Sequence, residues 1–342
     1  MELTAGQAFL EQYRASRIAL APHPDADGLA GAALLYRWLT GERVVCCPAK
    51  GESIHTAQFA DQLRQARPEA LLVIDQGARV GALLPGVPTL TIDHHVPSGI
   101  PEGVFVTAYP DAPQLSAAEV CYRLIGEPDD WLWLAAVGHL GDYGVKEPSA
   151  LLQRAKTRYT ATALQETVAL INAGRRSSRF DWQPALALLL TAEHPRQIAR
   201  GLLPETAQLQ EDRAEVNREL QRARRSRPFI AASWAVIPFA SPCLVHALTA
   251  VSWVGRLKDL YVLAANFGYR PGYVHFSVRA AQPVDLPTAL RDLAPEGLPG
   301  EFAHGHAAAT GGVVPRESFL LLLERMGFVA EQVMDIEHIA TK

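Results

Sequence analysis

Five short apolar runs in the first third of the chain lack the alternation of a half-exposed strand: RIALAP (17–22), RVVCCP (43–48), ALLVIDQ (70–76), PTLTIDHH (88–95) and GVFVTAY (103–109). A strand with one wet face alternates apolar and polar residues, so runs of this kind need cover on both faces. Between the first three lie stretches with helical spacing, LAGAALLYRWL (29–39) and TAQFADQLRQA (56–66). Strands that alternate with helices form βαβ units and a parallel sheet. The expected fold class is α/β: a doubly wound parallel five-stranded sheet domain, then a smaller mixed α/β C-terminal domain joined by a long helix.

The rest of the chain sets the boundaries. A length of 342 residues suits two domains at roughly 100–200 residues each. From 115 to about 204 the pattern is mostly helical. SAAEVCYRLIG opens at Ser116, a good N-cap, and stops at Gly126, as helix punctuation predicts. DDWLWLAAVGHLGD (129–142) reads as a buried helix with acids in its first turn and Trp131 and Trp133 in the core. Residues 205–227 are the least apolar long segment, with Leu209, Val216 and Leu220 as a narrow stripe and Pro228 as a stop. The expected divisions are a catalytic domain at 1–204, a connecting helix at 205–227 and a second domain at 228–342. New β-type runs follow at 229–239, 260–268 and 272–280, and helical stretches at 287–294 and 316–328.

Composition narrows the function classes. The formal net charge is −4, whereas a protein that grips long duplexes shows a strongly basic face. The arginines of RARRSR (222–227) read as a solvated helix end that could steer an anion. The four cysteines include no C-x-x-C pair. Cys46 and Cys47 read as small buried residues in a strand, which fits a reducing compartment. The start, MELTAGQAFL, lacks the basic and apolar segments of a signal peptide. No apolar run nears the ~18 residues of a membrane span. A soluble, cytoplasmic protein is expected, with no membrane partner.

The chemistry-bearing residues fall at strand ends. His23, Asp25 and Asp27 follow the first run, Asp75 ends the third, and Asp93, His94 and His95 end the fourth. Open α/β sheets bind ligands outside the carboxyl ends of their strands, so three strands deliver Asp and His to one rim. Asp142 follows the apolar helix and could reach it. Each piece alone has an ordinary reading: D-x-D-G is a turn sequence, Asp75 a strand-end residue, and Asp-His-His a loop cap. Together they crowd carboxylates that would repel one another without a cation. Asp and His without Cys suit Mn²⁺ or Mg²⁺ rather than a structural zinc. The number of ligands fits two divalent cations roughly 3.5–4 Å apart, with Mn²⁺ preferred and Mg²⁺ possible.

These residues resemble the DHH phosphoesterase superfamily, named for the triplet seen here as Asp93-His94-His95. Asp25-Ala26-Asp27-Gly28 is similar to its D-x-D-G motif, and Asp75 and Asp142 to two further motif aspartates. AHGHAAATGG (303–312) is similar to the glycine-rich loop of the family's accessory domain through Gly305, His306, Ala309 and Gly311. Ala303 and His304 stand where that loop has glycines. SVR (277–279) resembles the strand that carries its phosphate-binding arginine. His23 lies two residues before Asp25 and Ala21 four before it, a spacing similar to archaeal RecJ-type nucleases rather than to nanoRNases or class II pyrophosphatases. Bacterial RecJ exonucleases are longer and carry an additional OB-type domain.

The resemblance implies roles. One metal would be held by His23, Asp25 and Asp75, and the other by Asp27, Asp75, His94 and Asp142. His95 would contact the scissile phosphate, with Asp93 supporting the histidines and Asp75 catalytic through both cations. Arg279, Ser277, Gly305 and His306 would bind substrate. No role follows for His304 or His139. The implied activity is a metal-dependent phosphodiesterase that trims short single-stranded RNA or DNA to mononucleotides. Tyr269, Tyr273 and Phe276 are candidates to stack a base, with core packing as the ordinary reading. The alternatives are a small-nucleotide phosphatase or cyclic-dinucleotide phosphodiesterase, and a non-catalytic nucleic-acid-binding scaffold.

Overall fold

In chain order the first elements are α1 (Thr4–Tyr13), β1 (Ile18–Pro22), α2 (Ala26–Trp38), β2 (Arg43–Val45), α3 (Ala57–Gln65), β3 (Ala70–Ile74), β4 (Thr89–Asp93) and β5 (Val104–Thr107). The five strands form one sheet in the order β2-β1-β3-β4-β5, and every pairing is parallel. The computed structural model describes residues 2–110, 114–145, 149–282, 284–298, 302–306 and 308–340.

Side-chain alternation explains the unpatterned runs. Ile18 and Leu20 of β1, Leu72 and Ile74 of β3, and Leu90 and Ile92 of β4 enter one core with the buried side of α2. Ala19, Ala21, Leu71 and Val73 enter a second core, against Phe59 and Leu63 of α3. Both faces are thus dry, which is why these strands are mostly apolar, with Thr89 and Thr91 of β4 buried among them.

The helices that follow are α4 (Ala117–Leu124), α5 (Leu132–Asp142), α6 (Ala150–Tyr159), α7 (Ala161–Arg176), α8 (Gln183–Thr191), α9 (Pro195–Ala199) and α10 (Thr206–Ala223). Ser116 caps α4 in a reciprocal capping box with Glu119. The acids expected to open the next helix sit instead in a single 3₁₀ turn, Asp129–Trp131, that leads into α5. Asp142 is the last residue of α5 rather than lying beyond it. Trp133 is fully buried, and Trp131 packs partly buried against the same core.

Glycines set how closely these helices approach. A Cβ on Gly138 of α5 would lie 2.4 Å from both Ala118 Cβ and Asp27 Oδ1, and one on Gly141 2.9 Å from Ala26 Cβ. The backbone of α5 therefore rests on the first turn of α2, which brings Asp142 to the strand ends. A Cβ on Gly28 would lie 2.2 Å from the His23 carbonyl oxygen. That glycine lets α2 fold back over the end of β1.

The chain divides into two compact units, residues 1–175 with 179–211, and residues 176–178 with 212–342. The division falls inside α10, and the stripe of that helix is shared accordingly. Leu209 joins the core of the first unit, whereas Val216 and Leu220 pack with Phe239, Val245 and Ala264 in the second. The helix ends at Ala223, before Pro228. Arg222 is not purely solvated: it bonds Glu219 Oε2 at 2.8 Å and the Ala240 carbonyl.

The second unit continues with β6 (Phe229–Ala231), β7 (Trp234–Phe239), α11 (His246–Val254), β8 (Tyr261–Asn266), β9 (Tyr273–Arg279), α12 (Leu286–Arg291), β10 (His304–His306), β11 (Ala309–Pro315), α13 (Arg316–Arg325) and α14 (Ala330–Ala340). Its sheet runs β10-β11-β9-β8-β7-β6, with the β7–β8 pair parallel and the others antiparallel. The run at 229–239 is a hairpin rather than one strand, turning where Ala232 takes φ 46°. Cys46 and Cys47 lie just past β2 rather than within it, and all four cysteines are buried and free of disulfides. Among the described residues, no helix is long and apolar enough to cross a membrane.

The close approach at Gly28 gives a stability test. Gly28→Ala should destabilise the protein by about 1–3 kcal/mol or more, because backbone and not a flexible side chain must yield. Gly255→Ala, with nothing within 4 Å of the new Cβ, should stay within about 0.5 kcal/mol of wild type. Urea unfolding of the two variants measures both.

Candidate metal centre

The strand order places the winding reversal between β1 and β3, which leave the sheet centre in opposite directions. That is where an open α/β sheet forms its crevice. The last pair of the two strands is Pro22 with Ile74, and the next residues are His23 and Asp75. The His23 amide donates to the Ile74 carbonyl and the Asp75 amide to that of Ile92, both at 2.9 Å. Both side chains are therefore set by strand hydrogen bonds. Asp75 has φ 62° and is buried. A non-glycine residue held in the left-handed region costs on the order of 1–3 kcal/mol, and such strain clusters at functional sites.

Two groups of potential ligands share Asp75. In the first, His23 Nδ1 lies 2.8 Å from Asp25 Oδ2 and 3.7 Å from Asp75 Oδ2. In the second, His94 Nε2 lies 2.9 Å from Asp142 Oδ2, 3.2 Å from Asp75 Oδ1 and 3.8 Å from Asp27 Oδ2. Neither His94 Nε2 nor Asp75 Oδ1 is aligned in a hydrogen bond, although both atoms are buried. Donor atoms that converge without pairing fit a divalent cation.

The electrostatics agree. Burial pushes Asp27 well above the usual carboxylate range, and the nearby Asp75 and Asp142 charges add to it. Burial and Asp75 likewise raise Asp142, although His94 opposes them. Burial also opposes ionisation of Asp75, but the approach of His23 and His94 holds its carboxyl below the usual range. Burial and Arg175 pull His23 down, yet Asp25 and Asp75 lift it to about 9. His94 is raised against its burial by Asp142, Asp75 and Asp27. Protons on the histidines thus balance the carboxylates, a task a cation would take over.

Asp27 lies at the edge of the second group, its Oδ2 3.8 Å from His94 Nε2. It is fully buried, and its two oxygens accept from the Ala117 and Ala118 amides at 2.7 and 2.9 Å. The first turn of a helix favours a carboxylate there. Asp93 faces away from the ligands. Its Oδ2 accepts from the Gly77 amide at 2.6 Å, and its Oδ1 takes the His95 amide and His95 Nδ1 at 2.7 and 2.9 Å. Asp93 therefore positions His95 and does not itself face a reacting group. His95 lies in the second ligand group, but with Nδ1 taken, its free ring nitrogen is Nε2.

Several contributors had no local signal. Asp25 Oδ1 caps α2 while its Oδ2 bonds Arg175 Nη1 at 2.9 Å. Asn172 Oδ1 accepts from the Ala26 amide at 3.1 Å. Arg175 and Asn172 share α7, far along the chain from Asp25, in a stretch with no motif. Tyr143 follows Asp142 and places its hydroxyl 2.6 Å from His94 Nδ1. The adjacency to Asp142 was the one available hint. His139 is buried, with Nδ1 2.8 Å from Glu119 Oε2.

In the second unit, Arg279 ends β9 and its Nη1 donates to Ser277 Oγ at 2.8 Å and to the Val278 carbonyl at 2.9 Å. Burial lowers its pKa. The register sets Arg279 opposite Ala309 and Ala309 opposite His306, with Gly305 opposite Thr310. The four candidate substrate residues thus share neighbouring rows of one sheet. A Cβ on Gly311 would lie 2.5 Å from the Phe276 carbonyl oxygen, so β11 needs glycine there. Ala303 has φ 60°, a glycine-type conformation at a position where the accessory loop has glycine. Phe276 and Tyr269 are buried and belong to the packing, which removes them as base-stacking candidates. Tyr273 is part-exposed beneath Arg270, 4.4 Å from its ring.

The protonated histidines make metal binding pH-dependent. Cation ligation needs an unprotonated nitrogen, so Mn²⁺ binding near pH 7 should release protons and tighten from pH 6 to 8. Calorimetry in buffers of different ionisation enthalpy measures both; uptake of protons would contradict the assignment.

No protein-family model and no curated protein sequence matches the chain. Solved structures do. RecJ from Thermus thermophilus in complex with Mn²⁺ superposes with TM-score 0.69 at 21% identity, over 97% of this chain and 55% of that one. The same organism's RecJ in complex with Mg²⁺ gives TM-score 0.64 at 18% identity, over 97% and 52%. The chain therefore spans about half the length of these RecJ chains. With a parallel five-stranded sheet unit followed by a mixed-sheet unit, the chain has the fold seen in these RecJ structures.

Proposed function

We propose that the protein is a metal-dependent phosphodiesterase that hydrolyses short single-stranded oligonucleotides from an end to mononucleotides. The observation that carries this reading is the pair of ligand groups that meet at Asp75, in a chain whose fold matches RecJ structures containing Mn²⁺ and Mg²⁺. His23, Asp25 and Asp75 would hold one divalent cation. Asp27, Asp75, His94 and Asp142 would hold the other. Bound cations supply Lewis-acid polarisation of a phosphoryl oxygen and a water acidic enough to attack at neutral pH.

The chain's own residues do the rest. Asp93 fixes the His95 ring through Nδ1, which leaves Nε2 of a part-exposed side chain to contact the scissile phosphate. Arg279, with a forked guanidinium suited to phosphate oxygens, would hold a non-scissile phosphate. Ser277 braces that guanidinium. The second unit would thus act as the substrate-binding domain, with His306 in the row of Arg279 and Gly305 in the next. Short substrates suit a chain with net charge −4 better than long duplexes do, since each phosphate contact needs a cationic partner.

The first test is turnover with Mn²⁺ on end-labelled RNA and DNA of about two to twenty-five nucleotides, with a 3′,5′-bisphosphorylated nucleoside alongside. Stepwise release of mononucleotides supports the proposal. Cleavage of the small nucleotide alone makes the protein a phosphatase. Asp75→Asn, which tolerates the left-handed backbone better than alanine would, should drop turnover to background with the fold retained. Near-normal activity would sink the shared-ligand assignment. Arg279→Ala should raise KM about tenfold or more with kcat little changed; a fall in kcat alone would contradict its role.

A further inference from the structure

We infer that Tyr143 is the positioning residue for His94: its hydroxyl accepts the Nδ1–H, so that Nε2, facing the Asp75 and Asp142 carboxylates, is the nitrogen that gives up its proton to a cation. The inference rests on the metal-site reading above and adds a residue to it.

The direction of the hydrogen bonds carries the argument. Among the described residues, Tyr143 Oη has two hydrogen-bond neighbours: His94 Nδ1 at 2.6 Å and the Leu115 carbonyl oxygen, to which it donates, at 3.4 Å. A carbonyl can only accept, and a phenol has one proton. That proton goes to Leu115, so the lone pair faces His94 and Nδ1 must be the donor. An imidazole that donates from Nδ1 presents Nε2 as its acceptor, the form a cation needs. Ligating histidines commonly donate their second nitrogen to a fixed partner in this way.

The partner here is itself held. The Tyr143 ring meets His94 edge-on at 5.7 Å and His139 at a tilt at 5.4 Å. His139 Nδ1 is 2.8 Å from Glu119 Oε2, which also accepts from the Ser116 amide at 3.2 Å. Ser116 and Glu119 form the capping box at the head of α4, whose next two amides hold Asp27. One chain of contacts thus runs from the buried Asp27 through α4 and α5 to the part-buried Tyr143 and His94. This gives His139 a place: it buttresses the tyrosine. Without the hydroxyl, Nδ1–H loses its acceptor, and the neutral ring is free to place its proton on Nε2, where it would bond Asp75 or Asp142 and block the cation.

The test is Mn²⁺ titration calorimetry on the full chain as wild type, Tyr143→Phe and His94→Ala, with thermal melts as the fold control. Tyr143→Phe should bind Mn²⁺ about ten- to a hundredfold more weakly at one site, with its melt within a few degrees of wild type. Affinity within twofold of wild type overturns the inference. If His94→Ala loses that site while Tyr143→Phe does not, the tyrosine role alone fails. If His94→Ala binds as wild type does, the metal reading fails and takes the inference with it. A second readout uses the wild type alone, so it holds even if Tyr143→Phe does not fold. In the Mg²⁺ form, the His94 Nδ1 proton should appear downfield by NMR and exchange slowly. A fast-exchanging proton there overturns the inference.

Discussion

Everything at the strand ends depends on the mutual repulsion of Asp25, Asp27, Asp75 and Asp142. Four carboxylates brought into one crevice destabilise it unless positive charge lies among them. The chain supplies that charge partly itself. His23 bridges Asp25 and Asp75, His94 sits among Asp27, Asp75 and Asp142, and Arg175 reaches Asp25. Protonated histidines are a reversible solution, since a divalent cation can displace their protons. A lysine in the place of His94 would be a permanent one and would close the site. Arg175 is permanent, but it meets Asp25 alone and leaves the other three carboxylates to the histidines.

Close backbone packing makes the crowding possible. Gly28 lets α2 turn back over β1, and Gly138 and Gly141 let α5 lie on α2. The first amides of α4 then meet Asp27, and Asp142 arrives at the same rim. The helix amides and the glycines serve one end: they fix carboxylates by rigid backbone rather than by long side chains. A site built on strand ends and helix starts keeps its geometry as its charge state changes.

Much of this was legible in the sequence. The dry strands, the cap at Ser116, and the placing of His23, Asp75, His94 and His95 at strand ends follow from period and position. What was not legible has a common cause. Arg175 and Asn172 act singly, from positions with no local pattern, so nothing in their neighbourhood marks them, and Tyr143 is marked by its adjacency to Asp142 alone. The hairpin at Ala232 was missed because alanine gives no sign of a positive φ. Phe276 and Tyr269 were candidates to stack a base beside an ordinary core reading, and only the fold decides for the core: Phe276 packs on Phe319 of α13, and Tyr269, in the loop between β8 and β9, packs on His275.

The sequence by itself determined the fold class, the order of the elements and the ligand types, because hydrophobic period and residue chemistry are local properties. Tertiary structure decided which of those ligands converge. Asp75 became common to two groups because β3 lies between β1 and β4. Asp93 was turned from the rim toward His95 because the Gly77 amide and the His95 backbone claim its oxygens. Asp27 was drawn to the head of α4 by the amides of Ala117 and Ala118, far along the chain. These outcomes depend on contacts between distant segments, and no spacing along the chain encodes the distance at which they meet.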